Sequence, residues 1–113
     1  MSPMATTEEW KRGRRFTAAL TVVLGKEDAH YVVETKNVSE TGLCLMSLEV
    51  FPVGTQLHLV FGQPPELPRL TAQGIVRWSE GGKGVGVEFT SISTEDQQTL
   101  LDFVKSHILG KQG

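Results

Sequence analysis

Two short segments carry residue types suited to a compact, multiply charged ligand. Lys11-Arg12-Gly13-Arg14-Arg15 gathers four cations, and Asn37-x-Ser39-x-x-Gly42 sets an amide, a hydroxyl and a glycine at turn-like spacing. An arginine fork meets paired acceptors such as guanine O6 and N7, stacks on purine faces, and gives phosphate oxygens charge-assisted hydrogen bonds. Asn37 offers an amide that accepts from the N–H edge of guanine, and Ser39 adds a hydroxyl. Gly42 lets the backbone turn tightly or approach a ligand closely. The pieces fit a guanine nucleotide with more than one phosphate.

The rest of the chain sets off this cationic spot. Of 113 residues, 11 are basic and 13 acidic, for a net charge of −2. Without the four cations of the Lys11–Arg15 run, 7 basic residues stand against 13 acidic ones. A local positive spot on an acidic body suits a small dianion better than a long nucleic acid. A single-stranded nucleic-acid barrel would also need a basic groove interleaved with aromatics, and only 7% of residues are aromatic, so no nucleic-acid partner is expected. Cys44 is the one cysteine, which excludes an intramolecular disulfide and agrees with a reducing cytoplasm; it is expected to be a buried apolar residue. His30, His58 and His107 are scattered without ligand-like spacing, so no metal is expected. Glu34 and Glu88 stand isolated on strands, and no nucleophile sits beside a base, so the chain is not read as an enzyme. Met1–Trp10 lacks the apolar stretch of a secretory leader, and no run approaches the roughly 20 apolar residues that cross a bilayer.

The elements that must position the two segments are legible from periodicity. Phe16, Ala18, Leu20, Val22 and Leu24 alternate as one strand face, and Tyr31–Val38 forms a second strand that runs into the Asn37–Gly42 turn. Leu43–Met46 is a short strand, Thr55–Phe61 alternates with Leu57, Leu59 and Phe61 inward, and Gln63–Pro68 reads as a proline-rich loop. Leu70–Trp78 is the longest strand, with Leu70, Ala72, Val76 and Trp78 on one face, and Val85, Val87 and Phe89 face inward on the last. A helix follows, capped by Ser93 or Thr94, with Leu100, Leu101, Val104 and Ile108 at helical spacing. A helical turn is expected near Thr7–Trp10. Hairpin pairing of the first two strands would bring the start of one, next to Arg15, beside the end of the other, at Asn37. These short strands suit a small antiparallel barrel or a sandwich.

In order and spacing, these residues resemble the PilZ domain family, marked by Arg-x-x-x-Arg before the first strand and (Asp/Asn)-x-Ser-x-x-Gly after the second. The second motif is complete in Asn37, Ser39 and Gly42. Gly42-Leu-Cys-Leu45, Pro52-Val-Gly-Thr-Gln-Leu57, Gly74-Ile-Val-Arg-Trp78 and Gly84-Val-Gly-Val-Glu-Phe89 match the family's frame, over about Lys11 to Ile108. The resemblance implies a mainly β fold: a small six-stranded antiparallel PilZ-type β-barrel with a C-terminal α-helix. It would span residues 11–109, between a flexible tail at 1–10 and a C-terminal tail at 110–113.

The resemblance also implies a ligand, cyclic di-GMP, often bound as an intercalated pair, and no cofactor. The implied contacts are Lys11, Arg12, Arg14 and Arg15 on guanine and phosphate, Asn37, Ser39 and Gly42 on a guanine edge, and Trp78 as an aromatic beside the ligand. From residue type alone, Trp78 also suits a barrel-core or rim aromatic. Arg15 matches the second family arginine, but Lys11 stands where the first belongs. Lysine keeps the charge and loses the fork and the stacking plane. The implied role is a cytoplasmic signalling module that relays cyclic di-GMP to an effector protein in motility, secretion or polysaccharide regulation. The alternative is a PilZ-like protein-interaction adaptor that has lost nucleotide binding through Lys11.

Overall fold

The computed structural model describes residues 16–46, 50–63 and 67–112. The expected helical turn near Thr7–Trp10, the tail at 1–10 and the whole Lys11–Arg15 run lie outside them. The elements are β1 (Phe16–Thr17), β2 (Thr21–Lys26), β3 (Ala29–Val38), β4 (Gly42–Met46), β5 (Gln56–Gln63), β6 (Leu67–Glu80), β7 (Gly84–Ser91) and α1 (Thr94–Gln112). Every strand pairing is antiparallel. The order β3-β2-β5-β6-β7-β4, with β4 pairing back to β3, closes a six-stranded barrel, and β1 adds a short rung on β3. Closure decides between the barrel and the sandwich that the strand pattern left open.

The period-two pattern becomes the core. Leu20, Val22, Leu24, Val38, Leu43, Leu45, Leu57, Leu59, Phe61, Leu70, Val76, Val85 and Val87 are all buried inside. The expected first strand is interrupted. Ala18–Leu20 carries one residue more than the stretch of β3 it faces, between the pairs Thr17↔Asn37 and Thr21↔Glu34. The buried Thr35 seals this gap: its hydroxyl accepts from the Leu20 N–H at 2.8 Å and donates to the Ala18 carbonyl, and its own N–H reaches the Leu20 carbonyl at 2.9 Å. Alternation survives, so Phe16, Ala18, Leu20, Val22 and Leu24 all point inward.

Both ends of the expected loop at Gln63–Pro68 are strand, and residues 64–66 lie outside the described residues. β5 extends through Gln63 and β6 begins at Leu67, so Pro68 sits in the bulged stretch between the pairs Phe61↔Leu70 and Gln63↔Leu67, where a missing N–H is tolerated. Ser93 rather than Thr94 caps α1, its Oγ accepting from the Asp96 N–H at 3.0 Å. The helix packs Leu100, Leu101, Phe103 and Val104 on the core and continues through Gln112.

Candidate functional site

The Ser39–Gly42 turn is built by its own serine. The Ser39 N–H donates to the Gly42 carbonyl at 2.8 Å, and Ser39 Oγ accepts from the N–H groups of Thr41 and Gly42, each at 3.2 Å. Ser39 is fully buried, so its hydroxyl faces the turn rather than solvent. Gly42 is required by packing: a Cβ there would lie 2.1 Å from the Val87 carbonyl oxygen and 3.0 Å from Glu88 Cα. The close approach that the sequence offered to a ligand is thus made to β7. Two outside groups fix the turn from beyond β4. The Phe89 N–H donates to the Thr41 carbonyl at 2.8 Å, and Gln97 Nε2 of α1 donates to the Glu40 carbonyl at 3.1 Å.

Asn37 is half-buried and lies on the outer face, next to inward-pointing Val38. It is paired with Thr17 of β1 on one side and Cys44 of β4 on the other. Cys44 pairs with Gly86, and Gly86 with Trp78. One cross-strand row therefore runs Thr17–Asn37–Cys44–Gly86–Trp78 over the outside of the barrel. It joins two of the residues singled out from sequence, Asn37 and Trp78. The neighbours Leu43, Leu45, Val85 and Val87 fill the inside. Cys44 is buried, as expected, although on the outer side.

Trp78 is not on the inward face with Leu70, Ala72 and Val76. Val76 pairs with Val87 and Trp78 with Gly86, which leaves Arg77 as the extra residue of a β-bulge. A bulge reverses the alternation beyond it. Trp78 accordingly turns outward and is 42% exposed, a position that excludes the core reading of this aromatic. Its indole lies over Gly86, where a Cβ would fall 2.0 Å from Nε1.

The bulge also brings in residues that sequence reasoning missed. Arg77 Nε donates to Glu88 Oε1 at 2.5 Å, with both side chains about half exposed. Glu88 is therefore not isolated. Thr41, Arg77, Trp78, Gly86, Val87 and Glu88 line one surface recess of about 230 Å³. The adjacency of Arg77 to Trp78 was the only sequence signal for this group. The Arg77–Glu88 pairing depends on a bulged register that spacing does not reveal.

The arm residues Lys11, Arg12, Arg14 and Arg15 lie outside the described residues. Phe16, the next residue after Arg15, pairs with Val38, so the chain enters the barrel beside the motif turn. Among the described residues, no three His, Cys, Asp or Glu side chains are grouped to hold a metal. The recess offers a π-face at Trp78, a guanidinium at Arg77 and a carboxylate at Glu88, and Asn37 lies on the same outer face three strands away. That set can stack a base and hydrogen-bond its edge.

The PilZ domain family model matches residues 9–106. The fold is similar to that of the Bacillus subtilis inhibitor of motility MotI/DgrA, with a TM-score of 0.72 and 23% identity over 88% of this chain and 51% of that one. The K. pneumonia MrkH–c-di-GMP complex gives a TM-score of 0.71 and 18% identity over 89% of this chain and 52% of that one. The PilZ domain of CeSA from a cellulose-synthesizing bacterium gives 0.61 and 13% identity over 88% and 98%. This chain spans about half the length of the first two. A search of the curated proteins found no match.

Proposed function

We propose that this chain, which belongs to the PilZ domain family, is a receptor module for cyclic di-GMP that reads the ligand on the outer face of its barrel. The observation that carries this reading is the cross-strand row. It sets Asn37 of the motif and the outward indole of Trp78 on one surface, with the chain after Arg15 entering beside Asn37. A structural neighbour, MrkH, has been solved with c-di-GMP. In this reading Trp78 stacks one guanine, Asn37 meets a guanine edge further along the face, and Arg12, Arg14, Arg15 and Lys11 close over base and phosphates. Ser39 and Gly42 act by shaping the turn, since the serine hydroxyl bonds the turn's own N–H groups and the glycine abuts β7.

Binding would engage the Lys11–Arg15 run with the ligand and change the surface presented to an effector protein, which makes the chain a cytoplasmic relay rather than an enzyme. No helix among the described residues is long and apolar enough to cross a membrane. Lys11 sets the strength. A lost bidentate contact to a base edge costs about 1–3 kcal/mol, or roughly ten- to more than a hundredfold in affinity. The same substitution motivates the second reading, an adaptor that acts through protein contact alone.

Isothermal calorimetry with cyclic di-GMP separates the two. The receptor reading expects saturable binding that Arg15→Ala and Trp78→Ala each weaken by about tenfold or more. No heat at millimolar ligand favours the adaptor, and undiminished binding by both variants rejects the proposed face.

A further inference from the structure

We infer that Arg77 is a ligand-gripping residue of this face and that Glu88 is its built-in competitor. The inference rests on the receptor reading above and extends it to two residues that lie outside both motifs.

The Arg77–Glu88 pair has little structural reason to exist. Side chains 58% and 46% exposed form an ion pair of the kind that contributes about 0–1 kcal/mol to stability. Such a pair is cheap to open. Its placement is more specific. Arg77 is the extra residue of the β6 bulge, and bulges re-aim side chains beside functional sites. The same bulge turns Trp78 outward. Both residues line the same recess as Thr41 of the motif turn. A base lying on Trp78 would therefore share its recess with the Arg77 guanidinium and with Thr41 of the motif turn.

Arg77 engages Glu88 through Nε, one of five N–H donors on the side chain. The planar fork suits the O6/N7 edge of guanine or a phosphate oxygen pair, the contact that lysine at position 11 cannot make. Glu88 only accepts hydrogen bonds, and its negative charge repels the ligand's phosphates. In the free protein it holds the guanidinium in place over the recess. When a phosphate or a guanine edge arrives, ligand and carboxylate compete for the same donor. Arg77 thus strengthens binding and Glu88 weakens it, so the pair sets the concentration at which the module responds.

Calorimetry with cyclic di-GMP on the full chain tests both halves, with a thermal melt recorded for each variant. Arg77→Ala should weaken binding by about tenfold or more. Glu88→Gln, which keeps size and removes charge, should tighten it severalfold. The double variant separates lost contact from exposed repulsion: it should remain about tenfold weaker than Glu88→Gln alone. Equal affinities for the double variant and Glu88→Gln would overturn the Arg77 assignment while leaving the receptor reading intact. Unchanged or weaker binding by Glu88→Gln would overturn the competitor role. A wild-type chain that binds no cyclic di-GMP would overturn the inference together with the reading beneath it.

Discussion

Across β4 and β7, Gly42 pairs with Glu88 and Gly86 with Cys44, and an added methyl group would meet a different obstacle at each glycine. At Gly42 it would strike the Val87 carbonyl and the Glu88 backbone, which cannot move without opening the barrel seam. At Gly86 it would strike the indole of Trp78, which can swing away. Gly42→Ala is predicted to lower unfolding free energy by about 2–3 kcal/mol in urea denaturation, and Gly86→Ala by clearly less. Gly86→Ala should nevertheless weaken cyclic di-GMP binding, because it displaces the stacking surface. Equal stability losses would contradict this picture of the two contacts. At this scale the sequence was legible by residue type more than by direction. Asn37 and Trp78 do share a surface, but Ser39 points into its turn. A serine at a strand end bonds local N–H groups as readily as a ligand, and nothing in the spacing distinguishes the two.

The strands were legible wherever alternation ran unbroken, and an extra residue in the ladder upset the expected pairing at one place and the expected facing at another. The Ala18–Leu20 irregularity changed pairing but not facing, because Thr35 filled the gap with side-chain hydrogen bonds. The Arg77 bulge reversed the facing of everything after it, including Trp78. A bulge has no reliable signature in residue type, so the turn outward could not be read beforehand. The helix was legible from its cap and its apolar stripe, but its link to the site was not. Gln97 reaches from the first turns of α1 to the Glu40 carbonyl, tying the motif turn to the helix. Gln97→Ala should cost about 1 kcal/mol and raise amide hydrogen exchange at Thr41 and Gly42, with β5 unaffected. Unchanged exchange at both amides would show that β4 and β7 hold the turn without the helix.

The closed barrel pairs its strand edges with one another, which turns recognition to its outer surface and its ends. Charge follows the same plan: an acidic body carries one cationic run, and β1 delivers the chain from that run to the rung beside Asn37. The architecture and the motif turn were legible because hydrophobic period and turn chemistry are local. The placing of Asn37, Arg77, Trp78 and Glu88 on one outer face was not, because it depends on the register of four strands. The most direct measurement is a titration of the isotope-labelled chain with cyclic di-GMP, followed by amide and indole NMR shifts. The outer-face account predicts saturable shifts at Asn37–Gly42, at Arg77 and at the indole N–H of Trp78, with the inward core of β5 nearly still. Shifts confined to another face, or none at millimolar ligand, would contradict it.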